Sequence, residues 1–105
     1  MDCVELDITT LEQLYQAYMG RVQSGGLYFP SQTLWPLGTE LLCRFRLPQQ
    51  ANWHEYVGRV VWVNPQTTSH ADKGVGVAFG DSAFKPPIEQ LLADRLATSK
   101  LTSTL

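Results

Sequence analysis

The chain of 105 residues is short of charge, of cysteine and of long apolar runs. Asp, Glu, Lys and Arg together make up only 17% of it, below the usual ~25%. Ten acids against eight bases leave a net charge of -2. A protein that neutralises a phosphate backbone needs a basic field, so this composition argues against a nucleic-acid partner. Cys3 and Cys43 are too few for a disulfide framework and lack the paired spacing of a metal site. They read as reduced packing residues of a cytoplasmic protein. The strongly apolar stretch Val60–Val63 is far shorter than the ~20 residues of a membrane span. Met1-Asp2-Cys3-Val4-Glu5 has neither the basic flank nor the apolar core of a secretory signal. Disorder is excluded too, because 44% of the residues are hydrophobic. A chain of this length buries roughly 60–70% of its unfolded surface. The expectation is one cytoplasmic domain over residues 1–97, followed by a polar, flexible tail over 98–105.

The pattern along the chain is mainly β. Cys3 to Ile8 alternates, with Val4, Leu6 and Ile8 on one face and Glu5 and Asp7 on the other, as in a half-buried strand. Thr9-Thr10-Leu11-Glu12 predicts a capping box. Leu11, Leu14, Tyr15 and Tyr18 then recur at helical spacing, which predicts a helix from about Thr10 to Met19 with Gly20 as its C-cap. Leu27-Tyr28-Phe29 reads as a short strand ended by Pro30. Thr39 to Leu47 is the cleanest strand: Leu41, Cys43, Phe45 and Leu47 face one way, Glu40, Arg44 and Arg46 the other, and Leu42 breaks the polar face. Tyr56 to Val63 is the next strand, and Gly74 to Phe79 alternates small and large. Pro86-Pro87 suits a helix start, and Ile88, Leu91, Leu92 and Leu96 give that helix an apolar face to about Ala97. Short strands with an early helix and a final one predict a small antiparallel barrel or sandwich with helices outside.

No residue set supports catalysis. His54, expected in a turn beside Trp53, and His70, in a polar loop, have no second ligand at metal-binding spacing. Cys43 falls on an apolar strand face, where packing is the simpler role. Gly74-x-Gly76 precedes a strand and not a helix, so it is no phosphate cradle. The sequence therefore predicts no enzyme, no metal and no cofactor.

The aromatics are more informative. Tyr56, Val60 and Trp62 alternate onto one face of their strand, and Val57, Val61 and Val63 onto the other. A small barrel buries only one of those faces; the second is covered by a helix or offered to a partner. Trp62 is accordingly a core or rim tryptophan, or a binding hot spot. Tyr15 and Tyr18, three apart, share a helix face, and at least one phenol must reach water or a partner.

Taken in order, Tyr15–Met19, Ser24-Gly25-Gly26-Leu27-Tyr28-Phe29-Pro30, Leu37-Gly38-Thr39-Glu40, Gly58-Arg59-Val60-Val61-Trp62-Val63-Asn64-Pro65 and Gly74–Phe79 resemble the PilZ domain. Within that family they resemble the short stand-alone PilZ proteins of type IV pilus assembly. The resemblance covers about residues 3–96. It implies a six-stranded antiparallel β-barrel with a short N-terminal helix and a C-terminal helix.

PilZ domains that bind cyclic di-GMP carry an RxxxR motif before the barrel and a D/N-x-S-x-x-G motif at its first strand. The arginine forks pair with phosphate and guanine edges. Here no arginine precedes Arg21, Arg21 stands where the acid or amide belongs, Gln23 replaces the serine, and only Gly26 remains. The resemblance then implies a non-catalytic adaptor that does not itself bind cyclic di-GMP. Its implied partners are the pilus extension ATPase (PilB-type) and a FimX-type protein with a degenerate EAL domain. Carried over by position, the partner-binding residues are Tyr15, Tyr18 and Trp62, with Leu27, Tyr28 and Phe29 either partner-binding or barrel core. A cyclic di-GMP receptor with a non-standard site is the alternative.

Overall fold

A computed structural model describes residues 1–69 and 71–96. The tail expected over 98–105, the predicted helix end at Ala97 and the loop residue His70 lie outside the described residues. The elements are β1 (Cys3–Asp7), α1 (Leu11–Ala17), β2 (Gly26–Pro30), β3 (Glu40–Arg46), β4 (Trp53–Asn64), β5 (Gly74–Ala78) and α2 (Lys85–Leu91). The five strands form one sheet in the order β1-β3-β4-β5-β2. β4 is long enough to pair with β3 along its first half and with β5 along its second. That sharing curls the sheet into a half-barrel.

Two expectations about this sheet need correction. Among the described residues there are five strands and not six, and the sheet is mixed, because β1 runs parallel to β3. β1 leads into α1 and not into a tight turn, so no hairpin forces it antiparallel to a neighbour. Its register buries Val4 and sets Glu5 opposite Arg44 and Asp7 opposite Arg46. Arg44 Nη1 reaches Glu5 Oε2 at 2.6 Å, and Arg46 grips Asp7 with Nε and Nη2 at 2.9 and 2.6 Å. The paired arginine holds the Asp7 carboxyl below its usual range through that hydrogen bond. β4 also begins earlier than expected, so Trp53 and His54 are strand residues and not part of a turn.

The inner face carries the core. Leu41, Cys43 and Phe45 of β3, Tyr56 and Val60 of β4, and Val75 and Val77 of β5 are all buried. Leu14 and Ala17 of α1, and Ile88 and Leu92 of the C-terminal segment, belong to the same buried cluster. Phe45, Tyr56, Phe79 and Phe84 pack edge to face and tilted, with ring centroids 4.8 to 6.2 Å apart, the spacing at which ring quadrupoles attract. Tyr56 is a buried phenol that stays satisfied, its hydroxyl donating to Val77 O at 2.9 Å. Burial pushes its pKa up. The neighbouring Cys43 thiol is pushed up to about 12, chiefly by burial.

α1 starts one residue later than the capping box predicted. Thr10 is the N-cap, its hydroxyl accepting from Gln13 N at 3.1 Å, and the Gln13 side chain reaches back to accept from Thr9 N at 3.0 Å. Glutamine at the third position does the work assigned to Glu12. The helix also stops at Ala17, short of Met19. Tyr18 turns extended and bridges to Leu27, and Met19 N donates to Gly26 O at 2.9 Å. Strand pairing, and not Gly20, ends this helix. α2 opens with its prolines in the first turn as predicted, where their missing N–H groups cost nothing.

Candidate functional site

The outer face of the sheet is where apolar groups meet solvent. On β4, Gly58 and Val60 point inward, so Val57, Arg59 and Val61 point outward, and all three are exposed. Val57 lies opposite Leu42 of β3, the residue that broke the polar face of that strand. No described helix covers this face: Val57 and Val61 are 43% and 42% exposed. The covering helix offered as one alternative by the sequence is absent among the described residues. Both α1 and α2 pack on the inner side.

Trp62 reaches the same face through a bulge. Val60 pairs with Val77 and Trp62 with Gly76, so Val61 is the extra residue. A bulge shifts the alternation by one. Strict alternation puts Trp62 beside Tyr56 and Val60; the structure puts Trp62 outside, 56% exposed, and turns Val63 inward against the core. The loop before β3 runs beside this part of the strand. Gly38 N donates to Val60 O at 2.8 Å, which draws the loop against the strand just before Val61, and Leu37 is left exposed.

Across the sheet, Trp62, Gly76 and Tyr28 lie at one level on β4, β5 and β2. Gly76 leaves a gap between the two aromatics, and Met19 fills it: an ideal Cβ on Gly76 would lie 2.5 Å from Met19 Sδ and 3.1 Å from Trp62 Cβ. The Tyr28 hydroxyl donates to Asp72 O, and Asn64 Nδ2 donates to the same carbonyl at 2.9 Å. Thus the chain segment that leaves α1, the bulge of β4 and the outer side of β2 build one apolar surface. Near the other end of the sheet, Trp53 lies under the Arg44 and Arg46 guanidinium groups, 5.0 and 5.1 Å from its ring centre. Arg44 is further held by Glu55 at 3.2 Å. That end is sealed by ion pairs and cation–π contacts.

The other expected residues are placed as follows. Leu27 and Phe29 are fully buried at 0% exposure and belong to the core; their side chains have no surface to offer. Tyr28, between them, faces outward and is half-buried. Tyr15 and Tyr18 sit on the other side of the molecule, where α1 meets α2. The Tyr18 hydroxyl donates to Glu89 Oε2 at 2.6 Å; burial first, then that carboxylate, pushes its pKa up. The Arg95 guanidinium lies 5.6 Å from the Tyr15 ring centre and pairs with Glu12. The six residues therefore do not form one cluster: Trp62 and Tyr28 share the outer face, Tyr15 and Tyr18 the α1–α2 contact. Sequence reasoning missed Met19 and Arg59 as members of the outer face. Leu42, noted as an oddity on a polar strand face, was the available signal for its β3 part.

Among the described residues no group of three His, Cys, Asp or Glu side chains could hold a metal, and no helix is long and apolar enough to cross a membrane. A family model described as the PilZ domain matches residues 3–94. The chain belongs to the PilZ domain family. No curated protein matches it. PilZ domains are generally non-catalytic binding or adaptor domains, and membership points to a signalling adaptor connected with cyclic di-GMP, engaging protein partners or that ligand. In this PilZ chain Val57, Val61 and Trp62 leave the outer face of β4 apolar and exposed.

Proposed function

We propose that this PilZ chain is a cytoplasmic, non-catalytic adaptor in type IV pilus biogenesis. It acts through protein contacts with the pilus extension ATPase (PilB-type) and a FimX-type EAL-domain regulator, without itself binding cyclic di-GMP. The observation that carries the reading is the uncovered apolar outer face, with Trp62 turned out by the β4 bulge beside Val61 and Met19. An exposed tryptophan costs water-ordering free energy and adds little to the fold, whereas at an interface it is a common hot spot. The lack of an arginine before Arg21 and the presence of Gln23 where the nucleotide motif needs serine support the second clause. Tyr28 is proposed as a second contact on the same face, and Tyr15 with Tyr18 as a separate contact at the α1–α2 side.

A pull-down with the purified extension ATPase tests this. Trp62→Ala should weaken capture by roughly 30-fold, the equivalent of ~2 kcal/mol for a hot spot, with an unchanged melting curve. Tyr15→Ala should weaken it less. Wild-type capture by both variants, with the fold retained, sinks the site assignment. The competing reading, a cyclic di-GMP receptor with a non-standard site, predicts saturable micromolar heat on titrating the dinucleotide; the adaptor reading predicts none.

A further inference from the structure

The cations of the outer face divide into two kinds. Arg44 is held by Glu5 and Glu55, and Arg46 by Asp7. Arg59 stands apart. It projects from β4 between the exposed Val57 and Val61, two residues before the bulge that presents Trp62. Among the described residues it has no ion pair. Its register neighbour on β3 is Glu40, an exposed carboxylate that also makes none among the described residues.

A partner that closes over Val57, Val61 and Trp62 takes Arg59 out of water with them. A guanidinium cannot shed its proton, and burying it unpaired is strongly unfavourable. We propose that the protein segment docking on this face carries a carboxylate set between apolar side chains, and that this carboxylate pairs with Arg59. The proposal rests on the adaptor reading above and names the chemistry of its partner. The planar fork of Arg59 favours a carboxylate over any neutral acceptor. Glu40 is then a competitor: it lies on the neighbouring strand and repels the incoming acid. The two residues should act with opposite signs.

The experiment is calorimetric titration of the full chain with the purified extension ATPase, at about 50 and about 300 mM salt. For Arg59→Glu, affinity should fall at least about tenfold at low salt and recover in part at high salt, the reverse of the wild-type salt dependence. For Glu40→Gln, affinity should rise about threefold at low salt. Both side chains are exposed, so melting curves should stay unchanged. If Arg59→Glu binds like wild type while Trp62→Ala loses affinity, the face docks a protein but the acidic match is wrong. If Arg59→Glu and Glu40→Gln both weaken binding, the contact is steric and the charge argument is overturned. If the wild-type chain does not bind the ATPase at all, the adaptor reading fails and this inference falls with it.

Discussion

Substituting Gly76 by alanine should disturb the outer face around Trp62 while leaving the sheet standing. The added methyl would lie 2.5 Å from Met19 Sδ, 2.7 Å from Met19 Cε and 3.1 Å from Trp62 Cβ. None of these is backbone, and the nearest two belong to the far end of a flexible side chain, so Met19 must swing away and β5 need not move. Overpacking of this kind costs about 1–3 kcal/mol. Restricting the unfolded chain returns about 0.4–1 kcal/mol. The net loss is about 1 kcal/mol, or a fall of about 4–8 °C in Tm. Gly58→Ala provides the contrast, because its methyl would lie 1.9 Å from Ala78 O. There β4 passes hard against β5 backbone, and no side chain can give way. That variant should lose more than about 3 kcal/mol or fail to fold. Thermal melts compare the two. The Met19 methyl resonance reports the local change, and with two methionines in the chain its assignment is direct. In Gly76→Ala it should move to the position of an exposed methionine while Met1 stays put. An unmoved Met19 signal, or a Gly76→Ala variant as damaged as Gly58→Ala, would refute the packing argument.

Other consequences are simpler to measure. Cys3 is exposed and Cys43 buried with its thiol pushed up to about 12, so a thiol reagent at neutral pH should label one cysteine natively and two in denaturant; two fast native labels would contradict this. Tyr18→Phe removes the bond that ties α1 to Glu89 across a partly exposed contact and should cost about 1 kcal/mol in a urea titration, with an unchanged midpoint counting against the contact. The folded state raises the pKa values of Cys43, Tyr18 and Tyr56. Their neutral forms are therefore favoured on folding, and the unfolded chain ionises first. Stability should be full below about pH 9 and fall progressively above it, so the urea midpoint at about pH 10.5 should lie below that at about pH 8. An equal or higher midpoint would oppose that sign.

Most strands were legible because their inner faces alternate cleanly, as Leu41, Cys43 and Phe45 do. The uncovered outer face was half-legible: Val57, Val61 and Leu42 were visible as apolar residues in polar phase, but whether a helix covered them depended on tertiary packing. Trp62 was read in the wrong phase because alternation assumes an unbroken ladder, and the bulge at Val61 is a property of two strands together. The parallel pairing of β1 had a sequence trace, with Glu5 and Asp7 matching Arg44 and Arg46 in spacing. Strand direction still depends on the path of the chain between them. Leu27 and Phe29 could not be separated from Tyr28 without knowing which side of β2 met the core.

The proposed docking of a protein on the outer face of β4 has a direct readout. Hydrogen exchange of the chain, alone and with the extension ATPase, measures that most directly. Exchange should slow across Val57–Trp62 and around Tyr28 on complex formation. Slowing confined to β1 or the α1–α2 contact, or none anywhere at saturating ATPase, would contradict it.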